Sequence, residues 1–255
     1  MRSVFFQDLA RWNIEHNGTT VALPYPYYDN FSLGGVFTAS TTEARKLIPH
    51  PDLFPIELRP GRCLAGLAAF EYHQTEDEPY NELGISFLVS YKRRTLTPFG
   101  FAGVLLSMVI PSYIWQLPVT TEAARAGGFD LWGFPKFVAD IQFTKGEQWI
   151  ECTLSLSAAK ILRIRGRVLP TGPGKSIRYV NYSLLQGALL TSNTLFNPLE
   201  FSQSINRPDM ELIIEHGHPI CQTLRNLKLA RYPLVYQYIP KSETILFPPR
   251  NVRDI

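Results

Sequence analysis

The sequence predicts a mostly β, α+β fold: an antiparallel β-barrel or a double curved sheet with a few short helices. Three observations carry this expectation. About eight to ten segments are apolar or alternate with a period of two, and they are rich in β-branched and aromatic residues. Only two or three stretches read as helices, all short. Strands and helices do not alternate in the regular rhythm of a βαβ fold, and a strand count of this size suits a barrel or two packed sheets.

The elements follow in order. Residues 5–14 read as a short helix. Residues 23–28, Leu-Pro-Tyr-Pro-Tyr-Tyr, read as an extended segment that packs over a sheet edge or forms a pocket wall. A strand over 32–38 leads to Ser40 or Thr41, either of which can cap a helix through Leu47 that Pro49 closes. Strands over 63–72 and 83–91 flank an acidic, solvated loop at 73–80. Lys92-Arg93-Arg94 is a charged turn, and the apolar run 101–115, broken by Ser107, Pro111 and Ser112, is a buried strand. A short helix over 120–126 ends at Gly127 or Gly128, and a strand follows over 138–143. In 149–156, Ile150, Cys152, Leu154 and Leu156 share one face. In 161–168, Arg163, Arg165 and Arg167 share a face that is solvated or makes a subunit contact. Residues 171–176 form a hairpin turn before a strand at 177–182. A phosphate loop is excluded there, because Leu169 stands where that motif requires glycine. A helix at 219–227, a strand at 229–238 and an exposed tail marked by Pro240, Pro248 and Pro249 complete the chain. No repeat or linker divides residues 1–255, which read as a single domain.

Composition narrows the function. A hydrophobic share of 45% with 18% charged residues belongs to a folded globular chain. A net charge of +3 gives no case for nucleic acid. The N-terminus is too short and polar in its apolar run for a signal peptide. No apolar stretch reaches the roughly 18 residues of a membrane span. Cys63, Cys152 and Cys221 are odd in number and far apart, which fits reduced thiols in a cytoplasm. Cys221 near His216 and His218 is a weak thiol-nucleophile candidate. His216-Gly217-His218 lacks evident further ligands for a metal.

The chemistry centres on Gly127-Gly128-Phe129-Asp130-Leu131-Trp132-Gly133-Phe134-Pro135-Lys136-Phe137. One lysine sits among aromatics, glycines and a proline that fixes the backbone. An ammonium in such company loses hydration, which favours the neutral, nucleophilic amine. The plain alternative is a lysine that snorkels to water.

The run Leu131-Trp132-Gly133-Phe134-Pro135-Lys136 resembles the active-site lysine segment of the acetoacetate decarboxylase family. Pro79-Tyr80-Asn81-Glu82 is similar to that family's upstream segment ending in an active-site glutamate. Residues 42–49 resemble its early helix ending in proline, and 232–247 its C-terminal run. The resemblance implies a cone-like β-barrel with an interior site, Lys136 as Schiff-base nucleophile and Glu82 beside it. Tyr80, Trp132, Phe134 and Phe137 are candidate substrate walls or plain core, and the resemblance strengthens the first reading only for those next to Lys136; it also implies a homo-oligomer, with which an apolar β surface is compatible. The reaction it implies is decarboxylation of a small-molecule β-keto acid through an imine. No metal or organic cofactor is implied, since the iminium is the electron sink. Acetoacetate decarboxylase is itself a standard example of an activated lysine, so this chemistry comes with the family and not from the spacing of these residues. Two positions depart from the family pattern: Phe137 replaces a second lysine, and Asn30 replaces an arginine associated with the substrate carboxylate. These departures favour somewhat the alternative of a Schiff-base aldolase or dehydratase on another carbonyl substrate. A non-enzymatic barrel holding a small apolar ligand is the third reading.

Overall fold

The computed structural model describes residues 3–16, 18–93 and 108–254. Its strands are β1 (Trp12–His16), β2 (Thr19–Leu23), β3 (Tyr25–Ser40), β4 (Leu53–Pro55), β5 (Glu57–Arg59), β6 (Arg62–Thr75), β7 (Tyr80–Tyr91) and β8 (Val109–Gln116). They continue as β9 (Asp140–Lys145), β10 (Trp149–Leu156), β11 (Ala159–Arg167), β12 (Ile177–Leu185), β13 (Ala188–Ser204), β14 (Met210–Ile214), β15 (Val235–Leu246) and β16 (Arg250–Asn251). The helices among the described residues are α1 (Thr41–Leu47), α2 (Glu122–Trp132) and α3 (Pro219–Asn226). None of them is long and apolar enough to cross a membrane.

Seven strands close into a barrel in the order β3-β6-β7-β8-β12-β13-β15 and back to β3. Every neighbouring pair is antiparallel except β8 and β12, which run parallel. This exception is forced: a closed ring whose strands strictly alternate must have an even number, so a ring of seven needs a parallel pair. A parallel pair in turn needs a long crossover. Residues 117–176 supply it, and they carry α2, Lys136 and β9 to β11.

Alternation gives the barrel two different faces. Outward, Leu33 of β3, Leu67 of β6 and Leu83, Ile85 and Phe87 of β7 are buried in one core cluster. They meet Ile150, Cys152, Leu154, Leu162 and Ile164 of the four-stranded sheet β14-β11-β10-β9. Tyr236 of β15 fastens the two layers, donating to the Arg167 carbonyl at 2.8 Å. It needs Gly166, where a Cβ would stand 2.5 Å from its hydroxyl. Inward, the even-numbered residues of β7 face the lumen.

Several expectations are corrected. Residues 5–14 are not a helix: a 3-10 turn at Val4–Phe6 is followed by β1. The helix expected to stop at Gly127 or Gly128 runs through both and ends at Gly133, whose φ of 62° is left-handed. Pro240 is not tail. It lies inside β15, where the register shifts between Ile239 and Ser242, so no ladder hydrogen bond is asked of its missing N–H. Residues 171–176 are not a hairpin turn, because β11 and β12 belong to different sheets. Arg94 and residues 101–107, parts of the charged turn and of the expected buried strand, lie outside the described residues; from Val109 that run is β8.

Other expectations match the architecture, which is mostly β with a closed barrel. Ser40 caps α1, accepting from the Glu43 N–H at 3.4 Å. The arginine face of β11 is neutralised locally: Arg163 lies 3.1 Å from Glu215, Arg167 3.7 Å from Asp209, and Arg165 stacks 4.7 Å from the Trp149 ring.

Candidate active site

Lys136 is aimed by backbone hydrogen bonds on both sides of it. The Leu117 N–H donates to the Pro135 carbonyl at 3.2 Å and the Val119 N–H to the Phe137 carbonyl at 3.0 Å. The segment so gripped also borders β7: Val119 bridges to Glu82 on one side and Val138 on the other, and the Leu83 N–H donates to the Pro118 carbonyl at 3.0 Å. Residues 117–119 are therefore a spacer between the glutamate and the lysine, and both side chains cross it on the lumen side. Lys136 Nζ lies 2.8 Å from Glu82 Oε2, with the two side chains only 6% and 8% exposed.

The surroundings of this ion pair are aromatic. Tyr72 donates its hydroxyl to Glu82 Oε1 at 3.2 Å, and Tyr80 donates to the Tyr27 hydroxyl at 3.3 Å. Lys136 Nζ stands 5.3 Å from the Tyr80 ring centre, a cation–π distance. Burial is the first cause that holds all three phenols well above their ordinary range. The negative charge of Glu82 adds to it in each case. At neutral pH they are therefore uncharged phenols.

Helix α2 covers the lysine stem. Gly128 faces it so closely that a Cβ there would lie 2.5 Å from Lys136 Cδ and 2.6 Å from Cε. The helix is pinned at its C-terminus. Trp132 Nε1 donates to the Phe247 carbonyl at 2.9 Å, the Ser183 hydroxyl donates to the Trp132 carbonyl at 2.5 Å, and Gly133 sits against the Leu184 carbonyl. Trp132 and Phe134 stack at 6.5 Å.

The pair opens into a lumen cavity of about 440 Å³. Tyr80, Glu82, Trp132, Phe134 and Lys136 all line it. Phe137 does not. Adjacent residues of an extended segment point to opposite sides, and its ring packs against the main core instead. Among the described residues, Lys136 is the only lysine or arginine in the lining. Asn30 is fully buried beside the lumen and donates to Thr244 Oγ1 at 3.1 Å, leaving its Oδ1 without a partner.

Sequence reasoning did not single out Tyr72 or Gly128. Tyr72 had a signal in the spacing of Phe70 and Tyr72 on one face of β6. Gly128 had none beyond its being a second glycine. Tyr25 and Tyr27 take the pocket-wall alternative read for residues 23–28. The other candidates stand elsewhere. The Cys221 thiol is buried against the Ile161 carbonyl, 3.6 Å away. His218 accepts from the Ile220 N–H at the start of α3, and His216 lies 2.9 Å from Arg225. Among the described residues, no three His, Cys, Asp or Glu side chains gather to hold a metal.

The closed barrel thus carries a buried lysine–glutamate pair in its lumen. Residues 15–182 match the family model described as acetoacetate decarboxylase (ADC), and the chain belongs to that family of enzymes. Among solved structures it is similar to an acetoacetate decarboxylase at 14% identity and a TM-score of 0.63, over 90% of this chain and 89% of the other. It is also similar to the enduracididine biosynthesis enzyme MppR complexed with the condensation product of pyruvate and imidazole 4-carboxaldehyde. There the identity is 14% and the TM-score 0.61, over 89% of both chains. An acetoacetate decarboxylase from Legionella pneumophila is similar at 15% identity and a TM-score of 0.56, over 88% of each chain. No curated protein is significantly similar in sequence.

Proposed function

We propose that the chain is a Schiff-base-forming lyase that decarboxylates a β-keto acid through an imine on Lys136. The observation that carries the reading is the Lys136–Glu82 pair at 2.8 Å, buried in a largely apolar lumen. Glu82 takes a proton from the lysine, which leaves a neutral amine beside a neutral acid. The free Nζ electron pair then attacks the keto carbon, and one proton of the nitrogen passes to the alkoxide to give a hydroxyl. Glu82 returns the proton to the leaving hydroxyl, water departs, and a protonated imine remains. The bond to the carboxylate breaks, its electrons flow to the iminium nitrogen, and carbon dioxide leaves. Protonation of the enamine carbon and hydrolysis return the ketone and the lysine.

The charge inventory supports decarboxylation in particular. A substrate carboxylate in this lumen meets the Glu82 carboxylate and mostly apolar walls, with no lysine or arginine beyond Lys136 among the described lining residues. That environment disfavours the charged ground state and is relieved as the charge is lost with carbon dioxide. The neighbour that holds a condensation product of pyruvate keeps the aldol-type alternative as the competing reading.

Borohydride reduction in the presence of β-keto acids and aldehydes, read by intact mass and peptide mapping, tests the proposal. The expected result is a covalent adduct on Lys136, absent in Lys136→Ala, with carbon dioxide released from the acids that trap. An adduct with aldehydes and no carbon dioxide from any acid would move the protein to aldol-type chemistry. No adduct with any carbonyl would remove the Schiff-base reading altogether.

A further inference from the structure

We infer that the substrate is long, a β-keto acid whose hydrocarbon tail lies along the lumen, and that Gly66, Ala68 and Gly84 set the tail length it accepts. This rests on the Schiff-base reading for the position of the keto group, but the tail site stands on separate observations.

The lumen faces of three adjacent strands carry small residues in register. Gly34 of β3 pairs with Ala68 of β6, which pairs with Gly84 of β7; one step along, Gly66 pairs with Ser86. All five line the same cavity as Lys136. Glycine inside a strand weakens it and marks a close approach of something else. At Gly34 that something is the neighbouring strand, since a Cβ would stand 2.8 Å from both Ala68 Cβ and the Leu67 carbonyl. At Gly66 and Gly84 no backbone atom is near enough to require glycine. The nearest atoms are side-chain ends, Ser86 Oγ at 3.0 Å and Leu117 Cδ1 at 3.3 Å. The absent side chains leave the lumen hollow.

The hollow has length and a matching end. Along β7, Glu82, Gly84, Ser86 and Leu88 follow one another in the lining, and six residues of strand span about 20 Å. At the far end Val36, Leu88 and Ile110 line the cavity as part of one hydrophobic cluster, a fit for a terminal alkyl group. Asn181 and Thr194, on the wall formed by β12 and β13, hydrogen-bond to each other at 2.8 Å, so part of that wall's polarity is satisfied within it. A three-carbon keto fragment at Lys136 would leave most of this space unused.

The test measures kcat/KM for carbon dioxide release from acetoacetate, β-ketohexanoate and β-ketodecanoate with the wild type and Gly66→Val. A methylene in an apolar pocket is worth roughly tenfold or more. The wild type is therefore expected to prefer β-ketodecanoate to acetoacetate by at least about tenfold, and Gly66→Val to reverse the order. Ala68→Val, one level closer to the lysine, repeats the test should Gly66→Val not fold. A preference that is flat or falls with chain length, or one that Gly66→Val and Ala68→Val leave as it is, overturns the inference. A second arm separates it from the Schiff-base reading. In Lys136→Ala, a neutral dye, N-phenylnaphthylamine, is displaced by methyl nonyl ketone or by acetone. Displacement at much lower concentration by the long ketone supports the tail site even where no acid is turned over. Equal displacement, or none, counts against it.

Discussion

The two faces of β7 carry unlike residues on one backbone. Leu83, Ile85, Phe87 and Val89 point outward and are buried in the core between the sheets; Glu82, Gly84, Ser86 and Leu88 point into the lumen. The outward set is bulky and apolar, and its burial contributes stability in proportion to area. The inward set includes an acid, a glycine and a serine, choices that cost a strand stability. A single alternating stretch therefore divides its labour: one face holds the barrel to its second sheet, and the other keeps a space open with a charged pair at its end.

That contrast can be broken most sharply at the pair itself. Glu82→Leu leaves a buried lysine without its partner and is expected to cost about 3–5 kcal/mol. Adding Lys136→Met replaces both charges by apolar groups and should recover most of the loss or exceed the wild type by about 1–4 kcal/mol. Urea unfolding measures both variants. A double variant as unstable as the single one would mean that the pair serves the fold. On the opposite face, Phe87→Ala should cost about 3–5 kcal/mol, while Ser86→Ala next to it should stay within about 0.5 kcal/mol. Equal losses would dissolve the distinction between the faces.

A smaller effect concerns pH. Tyr27, Tyr72 and Tyr80 have their ionisation raised above the ordinary value of 10.0, so the folded state keeps protons that the unfolded chain gives up. Their contribution is complete below about pH 10 and is lost as pH rises from there towards the folded values. Ultraviolet titration of the 12 tyrosines is expected to show a fraction that ionises only as the barrel unfolds. Complete, reversible ionisation with the fold intact would show that the lumen is open to hydroxide.

Much of this was legible in the residues, for physical reasons that can be named. Period-two alternation in 149–156 gave β10 and its buried face, and the Ser40 cap gave α1, because both signals are local. The lysine was marked by its unusual neighbours and by the family resemblance, the glutamate by the resemblance alone. What the sequence hid was long-range. Gly127 and Gly128 read as a helix stop because glycine there has no visible reason; at Gly128 the reason is Lys136, which follows the helix and folds back on it. Phe137 read as a substrate wall by proximity, yet alternation sends it to the other side of the segment. Residues 5–14 read as a short helix, whereas Trp12–His16 pairs with Thr19–Leu23 as a hairpin, a contact between segments that a local reading does not register.

The glycine at 128 also fixes where this protein resists improvement. Alanine in a helix interior is favoured over glycine by about 1 kcal/mol; Gly127→Ala can take that gain, because a Cβ there meets nothing within 4 Å, but Gly128→Ala cannot. The methyl group would arrive where the lysine stem now runs, 2.5 Å from Cδ, and push the amine off its carboxylate. Two adjacent glycines of one helix therefore differ in what they can yield: the first is free to become sturdier, and the second is held by the side chain that lies across it.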